Sequence, residues 1–474
     1  MKNPTEREFE SRLQKVMKGI TAPIATGGRI TLDAEPTIIT LKESGLSIAI
    51  EPKTLQRQAE SLSDLTAHMP RASCGLGTET IQDANIRDAL QIKADDFDVN
   101  IPQDTLESIK DNIRDGLELD TDIMLEPYGL NVYEKGGRFV QHKDTPRGND
   151  MLGTLVICLP SLFTGGDLEL AMGKETHRYF TWKAHWDPNG WEDNKGGIRD
   201  WWENGSSHPN GTILPWCAFF ADVDHEIKTV KDGVRVTLTY LIRRTDHQDA
   251  SDQRPREIGE NEQAGIVREE LEKALRDHEQ FLPSGGTIGF PCVHLYTNEE
   301  VFPEKRKGSS DPLTTRQISS LKGRDKIVAY AAKSCNLEVY LVPYLSHSEA
   351  GDIAPYRLKR FPKERRCPKR MDEDDVKDFF KGCHLHDGEF NEKNYPWNQT
   401  DLWILQYGDK EQAEQDLGYC GQYNYEGYYG NEAGDTTFYV KAALHIKVPD
   451  SFHRKEELAA PANDAKEEET TKTE

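Results

Sequence analysis

Three side chains that suit a transition-metal ion occur in two short segments of the chain. His142 and Asp144 lie two residues apart in FVQHKDT, and His225 follows far downstream in DVDHEI. Two imidazoles and one carboxylate are the ligands of the 2-His-1-carboxylate facial triad, which holds ferrous iron and leaves coordination positions open. The pattern therefore predicts an iron site that can take up a cosubstrate and oxygen.

A cationic side chain follows the second imidazole at short range. Arg235 begins the run RVTLTYLI, in which Thr237 lies two residues further on. A guanidinium pairs with a carboxylate through two parallel hydrogen bonds, and a threonine on the same strand face can add a third. This pair predicts an anchor for a carboxylate near the metal.

The elements that must position these residues are predicted to be β-strands. Residues i and i+2 of a strand point to the same face, so a strand ending in FVQHKDT would place His142 and Asp144 together. His225 directly follows the apolar run WCAFFA. Asp232-Gly233 between two β-rich runs is typical of a hairpin, which would bring Arg235 back alongside the strand of His225.

The stretch from Leu130 to Arg244 resembles the catalytic domain of the prolyl 4-hydroxylase-like Fe(II)/2-oxoglutarate-dependent dioxygenases. The resemblance is carried by NVYEKGGRFVQHKDTPR, GTLVICL, FTGGDLEL and FFADVDHEIKTVKDGVRVTLTYLI. It implies a double-stranded β-helix, or jelly roll, and iron ligation by His142, Asp144 and His225. It also implies that Arg235 binds the remote carboxylate of 2-oxoglutarate, with Tyr133 and Thr237 as further contacts. Fe(II) would be the metal, 2-oxoglutarate and O2 the cosubstrates, and ascorbate a candidate reductant.

The implied reaction is hydroxylation of a C–H bond with release of succinate and CO2. Collagen-type members of the family have Lys where Arg235 stands, which leaves the substrate open between a prolyl or other protein side chain and a small molecule. Two other readings also stay open. One is a catalytically inactive jelly-roll protein that binds a partner, and the other is a cupin-like isomerase or zinc hydrolase on a similar barrel. A zinc hydrolase would need a third neutral ligand or a general base of its own, and copper would favour more histidines or a cysteine.

The chain of 474 residues is long enough for more than one domain, and its alternating helical and β-rich segments predict an α+β protein. We expect helices at 6–20, 54–68 and 105–116 and two or three strands within 28–52. The predicted organisation is an N-terminal accessory region (1–119), the dioxygenase domain (120–245), a linker (246–264), a C-terminal α/β accessory domain (265–450) and a disordered tail (451–474).

The insertion at 184–213 holds Trp186, Trp191, Trp201 and Trp202 and could be an active-site lid. Asn431 and Glu432 are interpreted as strand-turn residues without a chemical role.

The amino-acid composition limits the kinds of binding partner that are expected. A formal net charge of -23 disfavours nucleic acid and anionic membrane surfaces, so the expected partner is a protein or small-molecule substrate. The eight cysteines form no C-x-x-C pair, which favours a reducing compartment. We find no signal peptide and no apolar stretch of membrane-spanning length, so the sequence predicts a cytoplasmic or nuclear protein.

Overall fold

The computed structural model consists mainly of helices and antiparallel strand pairs in the residues that it describes, with the strands Gly286–Pro291 and Leu402–Trp403 as a parallel pair. The described residues are 3–32, 36–50, 55–76, 79–172, 176–180, 212–245, 262–301, 312–343, 345–346, 353–354, 402–404, 429–432, 439–440 and 442–454. The expectation of a mixed α and β protein is confirmed.

The helices within this part of the chain are α1 (Pro4–Gly19), α2 (Leu55–Thr66), α3 (Gln103–Gly116), α4 (Glu262–Arg276), α5 (Asn298–Val301), α6 (Thr315–Ser319) and α7 (Gly323–Ser334), with a 3-10 turn at Ala94–Asp96. The strands up to residue 245 are β1 (Ala25–Leu32), β2 (Thr37–Leu41), β3 (Ser47–Ile50), β4 (Cys74–Leu76), β5 (Glu79–Ile81), β6 (Arg87–Asp88), β7 (Leu90–Lys93), β8 (Phe97–Val99), β9 (Ile123–Tyr133), β10 (Arg138–His142), β11 (Met151–Cys158), β12 (Phe163–Gly165), β13 (Leu168–Met172), β14 (Thr176–Phe180), β15 (Thr212–Phe220), β16 (Asp224–Ile227), β17 (Val230–Gly233) and β18 (Arg235–Arg244). The later strands are β19 (Gly286–Pro291), β20 (Tyr296–Thr297), β21 (Glu338–Pro343), β22 (Leu345–Ser346), β23 (Ile353–Ala354), β24 (Leu402–Trp403), β25 (Tyr429–Gly430), β26 (Tyr439–Val440) and β27 (Ala442–Val448).

Two antiparallel sheets carry the residues of the predicted site. The six-stranded sheet has the order β1-β15-β11-β18-β9-β7, and the five-stranded sheet has the order β14-β13-β16-β10-β6. Apolar side chains from both sheets, such as Val132 and Leu155 from the first and Phe139 and Leu170 from the second, belong to one buried cluster. The space between the sheets is therefore the core of this part of the molecule.

A second apolar core is built from the C-terminal region together with the first helix of the chain. Phe9, Leu13 and Met17 of α1 are fully buried and pack with residues of α4, α7 and the sheet β21-β27-β19-β24. Helix α1 starts with a capping box in which Asn3 and Glu6 satisfy each other's backbone N–H groups. Each of the three large side chains contributes about 1.5–3 kcal/mol by leaving water, so α1 is held firmly to this core.

The first 119 residues are thus divided between both cores. Strands β1 and β7 complete the six-stranded sheet by pairing with β15 and β9, whereas α1 belongs to the second core. The predicted helices at 6–20, 54–68 and 105–116 appear as α1, α2 and α3, and the segment 28–52 overlaps three strands.

The predicted hairpin between the strands of His225 and Arg235 is wrong. The residues around Asp232-Gly233 form β17, which pairs with β12, and Arg235 instead pairs with Tyr133 in the other sheet. Gly233 has a φ of 76°, and a Cβ there would lie 2.1 Å from the carbonyl oxygen of Leu162, so only glycine fits this close crossing between sheets. A turn dipeptide marks a change of direction but does not determine which strand the chain pairs with afterwards.

Several predicted segments fall partly outside the described residues. These are 184–211 of the tryptophan-rich insertion, 246–261 of the linker and 455–474 of the tail; the helix after the linker begins at Glu262. The tail differs from its prediction at its start, because residues 451–454 form a helical turn in which buried Arg454 donates to the carbonyl oxygens of Phe281 and Leu282 at 2.7 and 2.8 Å. None of the helices in the described part is both long and apolar enough to cross a membrane.

Candidate metal centre

Two neighbouring strands and the segment after one of them bring His142, Asp144 and His225 together. His142 ends β10 and lies directly opposite His225 of β16, with the ring centroids 4.0 Å apart. Asp144 follows two residues after the end of β10. One donor atom from each residue lies within 4.8 Å of the other two, and all three residues are buried. Three donors that each bind an ion at about 2.1 Å must lie roughly 3–4 Å apart, so a small adjustment closes this site around a metal.

Both imidazole rings are oriented by the carbonyl group two residues earlier in the chain. Nδ1 of His142 is 2.8 Å from the carbonyl oxygen of Val140, and Nδ1 of His225 is 3.0 Å from that of Val223. Because a carbonyl oxygen only accepts, each Nδ1 carries a proton, which leaves Nε2 as the ring nitrogen available to a metal. Burial, helped by the neighbouring His225, lowers the pKa of His142 well below its usual value, so this ring is neutral at physiological pH.

Asp144 is held so that one carboxylate oxygen faces the histidines. Its backbone N–H donates to the carbonyl oxygen of Ala221 at 3.1 Å, and the hydroxyl of Thr154 donates to Oδ2. The other oxygen, Oδ1, lies 3.7 Å from Nε2 of His225. Since Thr154 belongs to β11 of the six-stranded sheet, both sheets contribute to the orientation of the carboxylate. The donor set fits a ferrous ion held by one oxygen and two nitrogens on one face.

Aromatic rings enclose the two histidines. Phe139 stacks on His142 with 3.5 Å between ring centroids and 24° between planes, and Phe219 lies 4.7 Å from His225. These contacts restrict rotation of the imidazoles and keep water from their apolar faces. The hydrophobic surroundings would strengthen electrostatic interactions at the candidate metal position.

Arg235 is fully buried on the opposite sheet from the two histidines. It pairs with Tyr133 across the strands, and its Cζ lies 5.3 Å from the centroid of the Tyr133 ring. Thr237 is also buried, two residues along β18 and opposite Cys158 of β11. Burial lowers the pKa of Arg235, yet a guanidinium stays protonated in proteins. Burial also raises the pKa of the Cys158 thiol to about 12, so this neighbour is neutral and the cation remains suited to a carboxylate ligand.

One further polar residue near the site, Arg87, has no recognisable signal in the sequence. Arg87 of β6 is buried, donates to Oδ1 of Asn131 at 2.9 Å and to the carbonyl oxygen of Ser73 at 2.7 Å, and places its Cζ 4.8 Å from the Phe139 ring centroid. The Phe139 ring in turn stacks on His142, and the charge of Arg87 contributes to the lowered pKa of that histidine. Arg87 is thus a second buried cation close to His142.

A segment from the far end of the chain also reaches the site, contrary to the interpretation of Asn431 and Glu432 as turn residues alone. The side-chain oxygen of Asn431 accepts from the backbone N–H of Thr145 at 3.0 Å. The Thr145 hydroxyl donates to the carbonyl oxygen of Glu432 at 2.7 Å, and the Glu432 carboxylate accepts from the hydroxyl of Tyr128, also at 2.7 Å. These bonds hold Thr145, which directly follows Asp144. A contact between residues so far apart in the sequence cannot be predicted from a local sequence pattern.

Comparisons with known proteins give structural neighbours only. No family model and no curated protein matches the chain. A prolyl-4-hydroxylase from Pseudomonas putida is 13% identical and covers 49% of this chain and 99% of its own, with a TM-score of 0.27. A 2OG-Fe(II) oxygenase family oxidoreductase from Burkholderia pseudomallei is 17% identical and covers 40% and 80%, with a TM-score of 0.22. A prolyl hydroxylase from Trichoplax adhaerens, solved with a hypoxia inducible factor peptide fragment, is 12% identical and covers 51% and 94%, with a TM-score of 0.25. Because these TM-scores are low, only the geometry of the site bears on the function of this chain.

Proposed function

We propose that this protein is an Fe(II)- and 2-oxoglutarate-dependent oxygenase that hydroxylates its substrate and releases succinate and CO2. The observation that carries the proposal is the convergence of His142, Asp144 and His225, which are buried and have their donor atoms within 4.8 Å of one another. The ligand types match the facial triad of non-haem iron oxygenases, which leaves coordination positions open for other ligands.

His142, Asp144 and His225 would hold the iron, and Arg235, Tyr133 and Thr237 would hold the far carboxylate of 2-oxoglutarate. When bound, iron and 2-oxoglutarate supply the activation of oxygen and the oxidation of a C–H bond. Ascorbate is a candidate reductant of the metal.

The protein's own groups orient the ligands and control their protonation. Nδ1 of each histidine donates a hydrogen bond to a carbonyl oxygen, which leaves Nε2 of each ring as the nitrogen that would bind a cation. Thr154 holds one oxygen of Asp144, which favours binding through the other oxygen. The fully buried guanidinium of Arg235 would fix the orientation of the cosubstrate through a two-pronged ion pair in a site of low dielectric.

We further propose that the two sheets which share a core form a jelly-roll barrel. Support comes from their antiparallel order and from chain crossings between them, such as the passage from β16 in one sheet to β18 in the other. In this arrangement residues from both sheets point into one enclosed space, as Asp144 and Thr154 do.

Turnover of 2-oxoglutarate is the direct test. The full chain, loaded anaerobically with Fe(II) and then exposed to oxygen, is expected to release succinate from 2-oxoglutarate. His225→Ala should reduce the rate by at least about 100-fold, because one of three metal ligands is lost. The matched control is His68→Ala, which removes an exposed histidine and should leave the rate unchanged.

Other outcomes would identify the alternative functions. Fe(II) binding without any succinate would contradict the oxygenase and favour a protein that keeps the fold only to bind a partner. Tight zinc binding with hydrolysis of a test ester would favour a zinc hydrolase. For an active oxygenase, a candidate peptide or metabolite is a substrate if it gains one oxygen atom and increases succinate formation; this separates a prolyl or other protein side chain from a small molecule.

A further inference from the structure

One short turn, formed by Ala221, Asp222 and Val223, connects the two halves of the metal centre. Its three successive carbonyl oxygens accept hydrogen bonds from both ligand-bearing segments. The Ala221 oxygen accepts from the backbone N–H of Asp144 at 3.1 Å, and the Asp222 oxygen accepts from Nζ of Lys143 at 2.8 Å. The Val223 oxygen lies 3.0 Å from Nδ1 of His225. The position of this turn therefore affects the carboxylate and one imidazole at the same time.

The side chain of Asp222 fastens this turn to the C-terminal region. It is completely buried and accepts from Nζ of Lys322 at 2.9 Å, from Nδ1 of His294 at 3.0 Å and from the backbone N–H of Leu295 at 2.9 Å. All three donors come from residues beyond 290, which belong to the region around the second core. The ring of His294 also meets the ring of Phe220 edge to face, with 4.9 Å between centroids.

The donors are themselves held by a second buried carboxylate. Asp325, near the start of α7, accepts from the backbone N–H groups of Val293 and His294 at 2.8 and 3.1 Å and from the hydroxyl of Tyr296 at 2.9 Å. Lys322 also donates to the carbonyl oxygen of Leu295 at 2.9 Å. The cluster therefore presents Asp222 with donors in fixed positions rather than with mobile side chains.

Electrostatics favour a charged Asp222 in this setting. Burial alone would raise its pKa, but Lys322 and His294 outweigh burial and hold the pKa far below its usual value. A buried carboxylate that is paired with a lysine is tolerated when hydrogen bonds satisfy its remaining lone pairs, as they do here. Removing either partner leaves an uncompensated buried charge, so this contact resists separation of the turn from the C-terminal region.

We infer that Asp222 is a positioning residue through which the C-terminal region sets the geometry of the metal centre. Held by Lys322 and His294, it fixes the carbonyls that orient Asp144 and His225. This inference rests on the proposed function, and it gives the C-terminal region a role in metal binding rather than in stability alone.

The chain offers a matched control for a purely structural role. Asp120 and Lys326 form another buried ion pair between the N-terminal half and α7, with Nζ 3.0 Å from the carboxylate, and Tyr330 donates to Asp120 at 2.7 Å. Among the described residues, Asp120 bonds to Lys326 and Tyr330 and not to the 221–223 turn. Asp120→Asn and Asp222→Asn therefore break the same kind of contact, but only the second acts on the ligand segments.

The experiment measures Mn(II) affinity of the full chain by electron paramagnetic resonance and coordination of Co(II) by its visible spectrum. Asp222→Asn and Lys322→Met should weaken Mn(II) binding by about tenfold or more and alter the Co(II) spectrum, as is typical when a group behind the ligands is lost. The Asp120→Asn variant should keep a Mn(II) affinity within about twofold of that of the original protein, even if its melting temperature falls as much as that of Asp222→Asn.

Equal Mn(II) affinity of Asp222→Asn and the original protein, or equal weakening by Asp120→Asn, would overturn the inference while the proposed oxygenase stands. An original protein that binds Mn(II) but forms no succinate would overturn only the proposed function, since the comparison of variants still reports on positioning. A failure of the original protein to bind either metal would overturn both.

Discussion

His142 and His225 face each other as directly opposed residues of adjacent antiparallel strands, with 4.0 Å between their ring centroids. Each ring also donates from Nδ1 to the carbonyl oxygen two residues earlier in the chain. The same local geometry on two strands therefore turns both Nε2 atoms toward the common space that Asp144 enters. Strand register, rather than a flexible loop, sets the distance between the two imidazole rings.

The hydroxyl of Thr154 should contribute to metal affinity through Asp144. Thr154→Val keeps the shape of the side chain but removes the donor to Oδ2, so the carboxylate can rotate away from the histidines. We expect Mn(II) binding to weaken by about tenfold, measured by titration of the metal-free protein. Thr37→Val is the control, because Thr37 is buried in another sheet and its hydroxyl has no hydrogen-bond partner among the described residues. An unchanged Mn(II) affinity of Thr154→Val would show that the carboxylate needs no such support.

Arg235 should determine the affinity for 2-oxoglutarate. Arg235→Met removes the buried cation and should raise the KM for 2-oxoglutarate by about 100-fold, since charged hydrogen bonds contribute about 1.5–3 kcal/mol each. Arg235→Lys keeps the charge but loses the planar fork, and it should raise KM by roughly tenfold. Both effects are read from succinate formation at increasing 2-oxoglutarate. A KM that stays constant in both variants would place the cosubstrate elsewhere.

The sequence predicted that His142, Asp144 and His225 come together, and the structure places their donor atoms close to one another. His142 and Asp144 are two residues apart at a strand end, and His225 follows a strongly apolar strand, so period-two alternation places them. Arg235 can be identified from its residue type and its proximity to His225 in the sequence. Its partner strand cannot be predicted, because Asp232-Gly233 leads into a crossing between sheets instead of a hairpin. Arg87 and Asn431 could not be predicted, since they reach the site only through tertiary packing.

The buried charge of Asp222 predicts a specific acid dependence of stability. Its pKa in the folded protein lies below its value of about 3.9 in the unfolded chain, so the unfolded state takes up the proton first as pH falls. The stabilisation is complete at about one pH unit above the unfolded pKa and is lost progressively as pH falls from about 5 toward the folded pKa. The free energy of unfolding, measured in urea between pH 6 and 3.5, should therefore fall more steeply for the original protein than for Asp222→Asn. Parallel curves for the two proteins would contradict a charged Asp222.

The close contact between Gly430 and Thr145 predicts a non-additive pair of substitutions. A Cβ at Gly430 would lie 2.3 Å from the hydroxyl oxygen of Thr145, so Gly430→Ala must push β25 away from the residue that follows Asp144. We expect a loss of about 1–3 kcal/mol in the free energy of unfolding, together with weaker Mn(II) binding. Thr145→Ala removes the clashing oxygen and also the bond to the Glu432 carbonyl, so it has a cost of its own.

In the double variant Gly430→Ala/Thr145→Ala, the new methyl group at position 430 no longer meets an oxygen. Gly430→Ala should therefore lower the free energy of unfolding less in the Thr145→Ala variant than in the original protein. The losses from the two single substitutions should thus not add, as is usual for residues in contact. Urea denaturation of the four proteins measures this coupling, and Mn(II) titration of the same set shows whether the metal centre follows it. Additive losses would mean that the two residues do not touch. Coupling in stability without any change in Mn(II) affinity would mean that the C-terminal segment packs beside Asp144 without affecting its orientation.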